Sequence, residues 1–585
     1  MPKSRKRVSK SAKKRGARRP TNYEIIRRTL HPVVVRRLEL FEQAKLDAIA
    51  AMPKGCRVNQ ILDPVRAAAP LRTVRLAIEN LGSQYAQSMG SYSWLFWLRR
   101  LPSEVFSGRL ASTGPYVQAL AEAMSAFTRT TEEFTATKKR SVIPKLNDSQ
   151  LEVLMKMCGL ATVLAGIHAV IRRAGKGQAV RWSRNDLPFA VSDDKFEKMI
   201  ELYDQRALSG GEVAGTVAFD WHPLFTRVEA TPAGQFALVV YSSGDLQEVP
   251  FWIGPASKVK RGVFRPGRYV VGGMTLKELR RLIGLSGGIS DWPSRELASL
   301  VIFLRTIMML VLNQDIRAGQ SLPSVGYLVL PTSAISKIIE HELPWNLVDL
   351  ADLFAGRLPN DAQQVLSDIR ALEPSVWPVV KGPILREAGD QTIVDIDSST
   401  QLIDRMLTVP GQYGGNLVNA RAEHFEEYVQ QIIDQTPWAP DASLRSYRGK
   451  TLRLHGKSIT DIDAIAVKAK SMILVSCKSV PYTQEYDIGN YNTVRNVRTL
   501  LEDADREWRS RLATLVNNPK GDNYNFEDYI LYGTVCTPHV AFVYEQQARI
   551  VLRTEQHALR ATCTVAELKD FLESGGEITN GTEEA

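Results

Sequence analysis

In TDIDAIAVKAKSMILVSCKS, residues 460–479, Asp461, Asp463 and Lys478 stand where a buried β-hairpin would carry Val or Ile. Alternation along a strand puts Asp461, Asp463, Ile465 and Val467 on one face, and Met472, Leu474, Ser476 and Lys478 on the matching face of the partner strand. A turn of two residues (469–470) or four (468–471) gives the same pairing: 467 with 472, 465 with 474, 463 with 476 and 461 with 478. Asp463 is then expected opposite Ser476 and Asp461 opposite Lys478, so carboxylates and an ammonium gather at one end of a hairpin whose other end is apolar. Groups of this kind do charge chemistry, because carboxylates hold hard cations and an ammonium steadies an anion. A cross-strand ion pair between Asp461 and Lys478 at a solvated end accounts for two of the residues without any function, but leaves Asp463 unexplained.

A helix must stand beside this hairpin. In RAEHFEEYVQQIIDQ, residues 421–435, apolar side chains recur at 425, 428, 429, 432 and 433, the spacing of one helical face. At about 100° per residue, Glu426 falls on the border of that face, while Glu427 and Glu423 point to solvent. A strand at 451–455 precedes the hairpin, a long helix is expected at about 488–514, and the apolar runs DYILYGTVC and VAFVY read as later strands.

Helix-borne Glu426, then Asp463 in DIDAIAV, then Lys478 in LVSCKS, 15 positions after Asp463, resemble the PD-(D/E)xK nuclease superfamily, the restriction-endonuclease-like fold. The resemblance covers roughly residues 415–560. It implies magnesium (or manganese) as cofactor, with Asp463 as principal ligand, Glu426 as auxiliary ligand, the backbone carbonyl of Cys477 completing the coordination, and Lys478 as the catalytic lysine. The Cys477 side chain points to the opposite face and reads as core. One position departs from the pattern: the acid two residues before the lysine is Ser476 here, and a neutral hydroxyl is a poor magnesium ligand. Three readings stand. Asp461 supplies the missing carboxylate; Glu485 or Asp487 in YTQEYD supplies it; or catalysis is lost and the domain only binds.

The rest of the chain limits the setting. Its 585 residues call for several domains. Net charge is +11, but residues 1–20 hold ten Lys/Arg and no acid, leaving the remainder nearly neutral. That tail (Lys3, Arg5, Lys6, Arg7, Lys10, Lys13, Lys14, Arg15, Arg18, Arg19) is expected to be disordered and either to contact phosphates irrespective of sequence or to act as a solubilising extension. The five cysteines (56, 158, 477, 536, 563) form no zinc-ligand spacing and no disulfide framework, which suits a reducing cytoplasm. Two apolar runs, 157–171 and 297–312, fall short of the roughly 20 residues that span a bilayer and read as buried core helices, so no membrane partner is expected.

The expected architecture is multidomain α+β. A disordered tail (1–20) precedes a helical domain (21–185) without a convincing strand and a small mixed β-containing domain (186–290). A helical region whose strands lead onward (291–410), an α/β restriction-endonuclease-like domain (411–572) and an acidic tail (573–585) complete it. No motif before residue 375 carries chemistry. Two functions follow: a metal-dependent endonuclease with an N-terminal recognition or partner module, or a catalytically silent nuclease-like module that binds nucleic acid or scaffolds a larger complex. The expected partner is nucleic acid, DNA before RNA, with homodimerisation or partner subunits left open.

Overall fold

The structure is a computed structural model that describes residues 32–580 except 103–104, 107–113, 131–143, 192, 210–220, 224–234, 250–264, 278, 281–292, 314–321, 355, 378–379, 409–415, 481–485, 487, 544–548 and 575–577. Helices dominate the first part: α1 (Arg37–Ala51), α2 (Pro64–Ala86), α3 (Ser91–Leu98), α4 (Gly114–Ser125), α5 (Asp148–Gly175) and α6 (Asp194–Ser209). A reciprocal capping box between Asn147 and Gln150 opens α5, and Arg172 and Arg173 sit in its last turn, where the helix dipole favours cations. This helix packs on α1, α2 and α4. It is long and apolar enough to cross a membrane, but 61% of its most apolar window is buried inside the protein, as in a core helix. Short strands at Gln60–Leu62, Val180–Trp182 and Phe189–Ala190 pair antiparallel, correcting the strand-free expectation for this region. Strands of two or three residues are too short for alternation to register in sequence.

Next come β1 (Gln235–Val249) and β2 (Arg265–Thr275), an antiparallel ribbon in the region expected to be β-containing. Its apolar side shares one core with α7 (Arg295–Asn313), so the boundary placed at 290 does not separate two cores. Strands β3 (Tyr327–Pro331), β4 (Leu385–Ala388) and β5 (Gln391–Asp395) form a sheet in the order β3-β5-β4, and β5 runs directly into α8 (Ile396–Thr408).

Arg99, just past α3, ties the helical layer to this middle region. Its guanidinium donates to Glu122 of α4 (2.9–3.2 Å), to Asp395 at the end of β5 (2.8 Å) and to the Val325 carbonyl (2.8 Å). Asp397 lies 3.6 Å away. Only glycine fits beside it at 326: φ is +68°, and an added Cβ would stand 2.9 Å from the Tyr269 ring and 3.2 Å from Arg99 Nη1.

The C-terminal part comprises α9 (Asn416–Asp434), β6 (Thr451–Leu454), β7 (Lys457–Asp461), β8 (Ala464–Lys468), β9 (Ser471–Cys477), α10 (Tyr491–Asn517), β10 (Ile530–Thr537), β11 (Thr562–Thr564) and α11 (Val565–Glu573). A four-stranded sheet runs β8-β9-β10-β11, antiparallel between β8 and β9 and parallel thereafter. Alternation splits its side chains cleanly. Ala464, Ala466, Ile473 and Val475 pack with Val429 and Ile433 of α9, whereas Ile465, Met472 and Leu474 pack with Leu501 and Trp508 of α10. The VAFVY run is not a strand over 540–543, although those residues are buried; β11 is the fourth strand instead.

The helical layer meets the C-terminal part at the segment after β10 and at α11. Phe196 and Tyr203 of α6 pack on Val540 and Phe542, and Arg206 pairs with Glu567 at 2.7 Å. The described residues form a mixed helix and sheet protein.

Candidate active site at the open end of the C-terminal hairpin

The hairpin has the two-residue turn and the expected register, Val467 opposite Met472 and Ile465 opposite Leu474, but its ladder stops at Ala464 and Val475. Beyond that point β9 continues to Cys477 paired with β10 on one side but with no strand on the β8 side, so Asp463 sits just before the edge strand begins. Its carboxylate takes over the missing ladder contacts: Oδ2 accepts from the Cys477 N–H at 2.6 Å and, weakly, from the Ser476 hydroxyl at 3.4 Å. Oδ1 accepts no hydrogen bond from any described residue. In an extended strand the N–H and C=O of one residue point to the same edge, so the Cys477 carbonyl opens on the side where Asp463 lies.

Asp461 requires a correction. It does not continue the strand of Asp463 and does not face Lys478. Exposed on β7, it pairs with Thr451 in the separate two-stranded sheet β6-β7. Ile462, buried in the core, makes an isolated bridge to Arg448, and there the chain passes from one sheet to the other. The ion pair between Asp461 and Lys478 is absent; among the described residues Lys478 pairs with no carboxylate. Its N–H donates to the Cys536 carbonyl at 2.8 Å, which fixes the end of β9.

Glu426 reaches this point from α9, half-buried, with Glu427 and Glu423 exposed beside it. Burial and the charge of Asp463 push its carboxyl above the usual range, while Arg448 and Lys478 pull it down. Burial likewise raises Asp463, against the Cys477 N–H, Lys478 and Ser476, which favour its ionised form; Asp461 adds a further upward push. Two carboxyls raised by burial, one of them further by the other's charge, gain from any added positive charge. Burial also raises the Cys477 thiol, whose side chain lies in the α9-side core, which disfavours the thiolate.

Two residues that sequence reading missed complete the arrangement. The buried Gln430 side chain accepts from the Ile465 N–H (2.9 Å) and donates to the Ile465 carbonyl (3.2 Å), sealing the outer edge of β8. Because Gln430 lies one turn after Glu426, and Ile465 two residues after Asp463, this clamp sets the helix against the strand. Arg448 donates from Nε to the Asp463 carbonyl at 3.0 Å. Neither a buried Gln on a helix nor an Arg in a loop carries a sequence signal of such a role.

Among the described residues no three or more His, Cys, Asp or Glu side chains gather closely enough to form a metal site by themselves. Two carboxylates and a main-chain carbonyl nevertheless fit magnesium, which keeps several waters and takes one or two carboxylates alongside phosphate oxygens. Ser476 adds no charge; its hydroxyl is turned onto Asp463. Glu485 and Asp487, the other substitutes, and the basic tail (Lys3 to Arg19) lie outside the described residues. No protein-family model, no curated protein and no solved structure matches the chain.

Proposed function

We propose that residues 411–572 form a metal-dependent phosphodiesterase of the PD-(D/E)xK type acting on nucleic acid, DNA before RNA, with the N-terminal region as recognition or partner module. The observation that carries this reading is the meeting of Asp463, Glu426 and Lys478, from an edge-strand start, a helix and a strand end, with Asp463 Oδ1 and the Lys478 ammonium uncommitted to described partners. Asp463, Glu426 and the Cys477 carbonyl would hold Mg²⁺ or Mn²⁺. The ion supplies, when bound, Lewis-acid neutralisation of charge on the phosphate. The chain's own part is positional. The Cys477 N–H orients the Asp463 carboxylate, Gln430 fixes Glu426 beside it, and Lys478 offers donors to an attacking water or a phosphate oxygen.

Ser476 favours a second reading, a nuclease-like module that binds nucleic acid without cutting it, because the usual acid is replaced by a neutral donor already engaged with Asp463. Incubating the full chain with plasmid and single-stranded DNA in Mg²⁺ or Mn²⁺, with and without EDTA, separates the two. EDTA-sensitive cleavage lost in Asp463→Asn and Lys478→Ala supports the nuclease. No cleavage with either ion, alongside retained DNA binding, supports the silent module. Undiminished cleavage by both variants removes the site from the reaction.

A further inference from the structure

We propose that Arg448 binds a backbone phosphate of the nucleic acid at this site, an inference that rests on the preceding reading only for the class of ligand. The residue is held from both sides. Its main chain bridges Ile462, and the next N–H, that of Gly449 at φ +70°, donates to the Ile462 carbonyl at 2.9 Å. Its side chain is anchored through Nε on the Asp463 carbonyl at 3.0 Å. That single bond would satisfy a purely structural pin. The outer end of the guanidinium is left over: Nη1 stands 3.7 Å from Glu427 Oε2, too far for a hydrogen bond, and Nη2 has no described partner. The side chain is 26% exposed.

A fork fixed at its stem and open at its tip is preorganised for bidentate contact with an oxyanion, and a phosphodiester offers its two non-bridging oxygens. Arg448 also acts on the site: of the two cations that favour the ionised form of Glu426, it acts more strongly than Lys478, and its one carboxylate neighbour among the described residues, the exposed Glu427, is held at 3.7 Å.

The test uses the full chain and a fluorescein-labelled DNA duplex, read by anisotropy across a salt series in EDTA and in Ca²⁺. Arg448→Gln keeps an N–H donor for the Asp463 carbonyl but removes the charge; Arg448→Ala removes both. The glutamine variant is expected to melt with the parent, bind DNA roughly tenfold more weakly, and lower the slope of log affinity against log salt by about 0.9. Unchanged affinity and slope in Arg448→Gln would overturn the inference. So would a chain that binds no DNA, or a binding loss confined to an Arg448→Ala variant that also melts early, which marks a structural pin. If the parent never cleaves in Mg²⁺ or Mn²⁺ but Arg448→Gln shows the expected loss, the inference stands and the nuclease reading falls. If the parent cleaves and Arg448→Gln binds and cleaves equally well, the reverse holds.

Discussion

Two clusters in this protein combine arginine with several carboxylates, and they are built to opposite ends. Around Arg99, Glu122, Asp395 and Asp397 converge in the interior, with the Arg99 and Asp395 side chains both at 0% exposure. All three guanidinium nitrogens donate hydrogen bonds, and Asp395 is also held by the Ser398 N–H and hydroxyl. Around Asp463 the acids stand at the end of a sheet, one carboxylate oxygen and one ammonium lack described partners, and the arginine is held only by its stem. A closed cluster fixes how layers pack; an open one keeps donors and acceptors for something else. The difference lies less in residue types than in whether the surrounding elements close over them.

The comparison breaks first at Arg99. Arg99→Met leaves three buried carboxylates without their cation and is expected to lose about 3–5 kcal/mol, or to prevent folding, in urea denaturation. A loss under about 1 kcal/mol would show that the cluster does not hold the layers together.

Asp397 sharpens it. Burial, ahead of the neighbouring Asp395 and Glu122 charges and against Arg99, moves its carboxyl from 3.8 to about 7. Between those pH values the folded state holds a proton that the unfolded chain has released, so stability is greatest on the acid side and falls as pH rises through the window. At ~1.4 kcal/mol per pH unit the swing is bounded at about 4 kcal/mol. Asp397→Asn is expected to flatten stability between pH 5 and 8 and to exceed the parent at pH 8; an unchanged pH profile would contradict this.

Gln430→Leu tests the scaffold of the open cluster. It strands the Ile465 N–H and carbonyl, which should lower stability by about 1–3 kcal/mol. If Gln430 sets Glu426 as described, the Mn²⁺ concentration giving half-maximal cleavage should rise as well; a stability loss with an unaltered metal dependence would limit Gln430 to edge sealing.

Lys478→Ala should have the smallest effect on stability, below about 0.5 kcal/mol, because no described ion pair is lost. Abolished cleavage with an unchanged melting curve is the expected pair of results, and a large stability loss would move Lys478 into the structural class of Arg99.

Local periodicity made part of this legible. The alternation of 463–478 yielded the pairs Val467–Met472 and Ile465–Leu474, and the helical spacing of 425–433 put Glu426 at the border of a buried face. Both are properties of a few consecutive residues, because side-chain direction repeats with period 2 or 3.6 whatever the rest of the chain does. The same alternation wrongly carried Asp461 into the hairpin, since nothing in DID marks the change of sheet at Ile462.

What packing across distant segments decides was out of reach. Cys477, Cys536 and Cys563 are far apart in sequence, yet they stand side by side in the parallel ladder β9-β10-β11, buried and free. Arg99 meets Asp395 across nearly three hundred positions, and Arg448 reaches the Asp463 carbonyl only because the β6-β7 hairpin folds back. Local patterning set the faces of these elements and the register of one turn. Which acids are enclosed and which are left open was settled by the tertiary structure, because a charged group's environment depends on what closes over it, and those neighbours come from other parts of the chain.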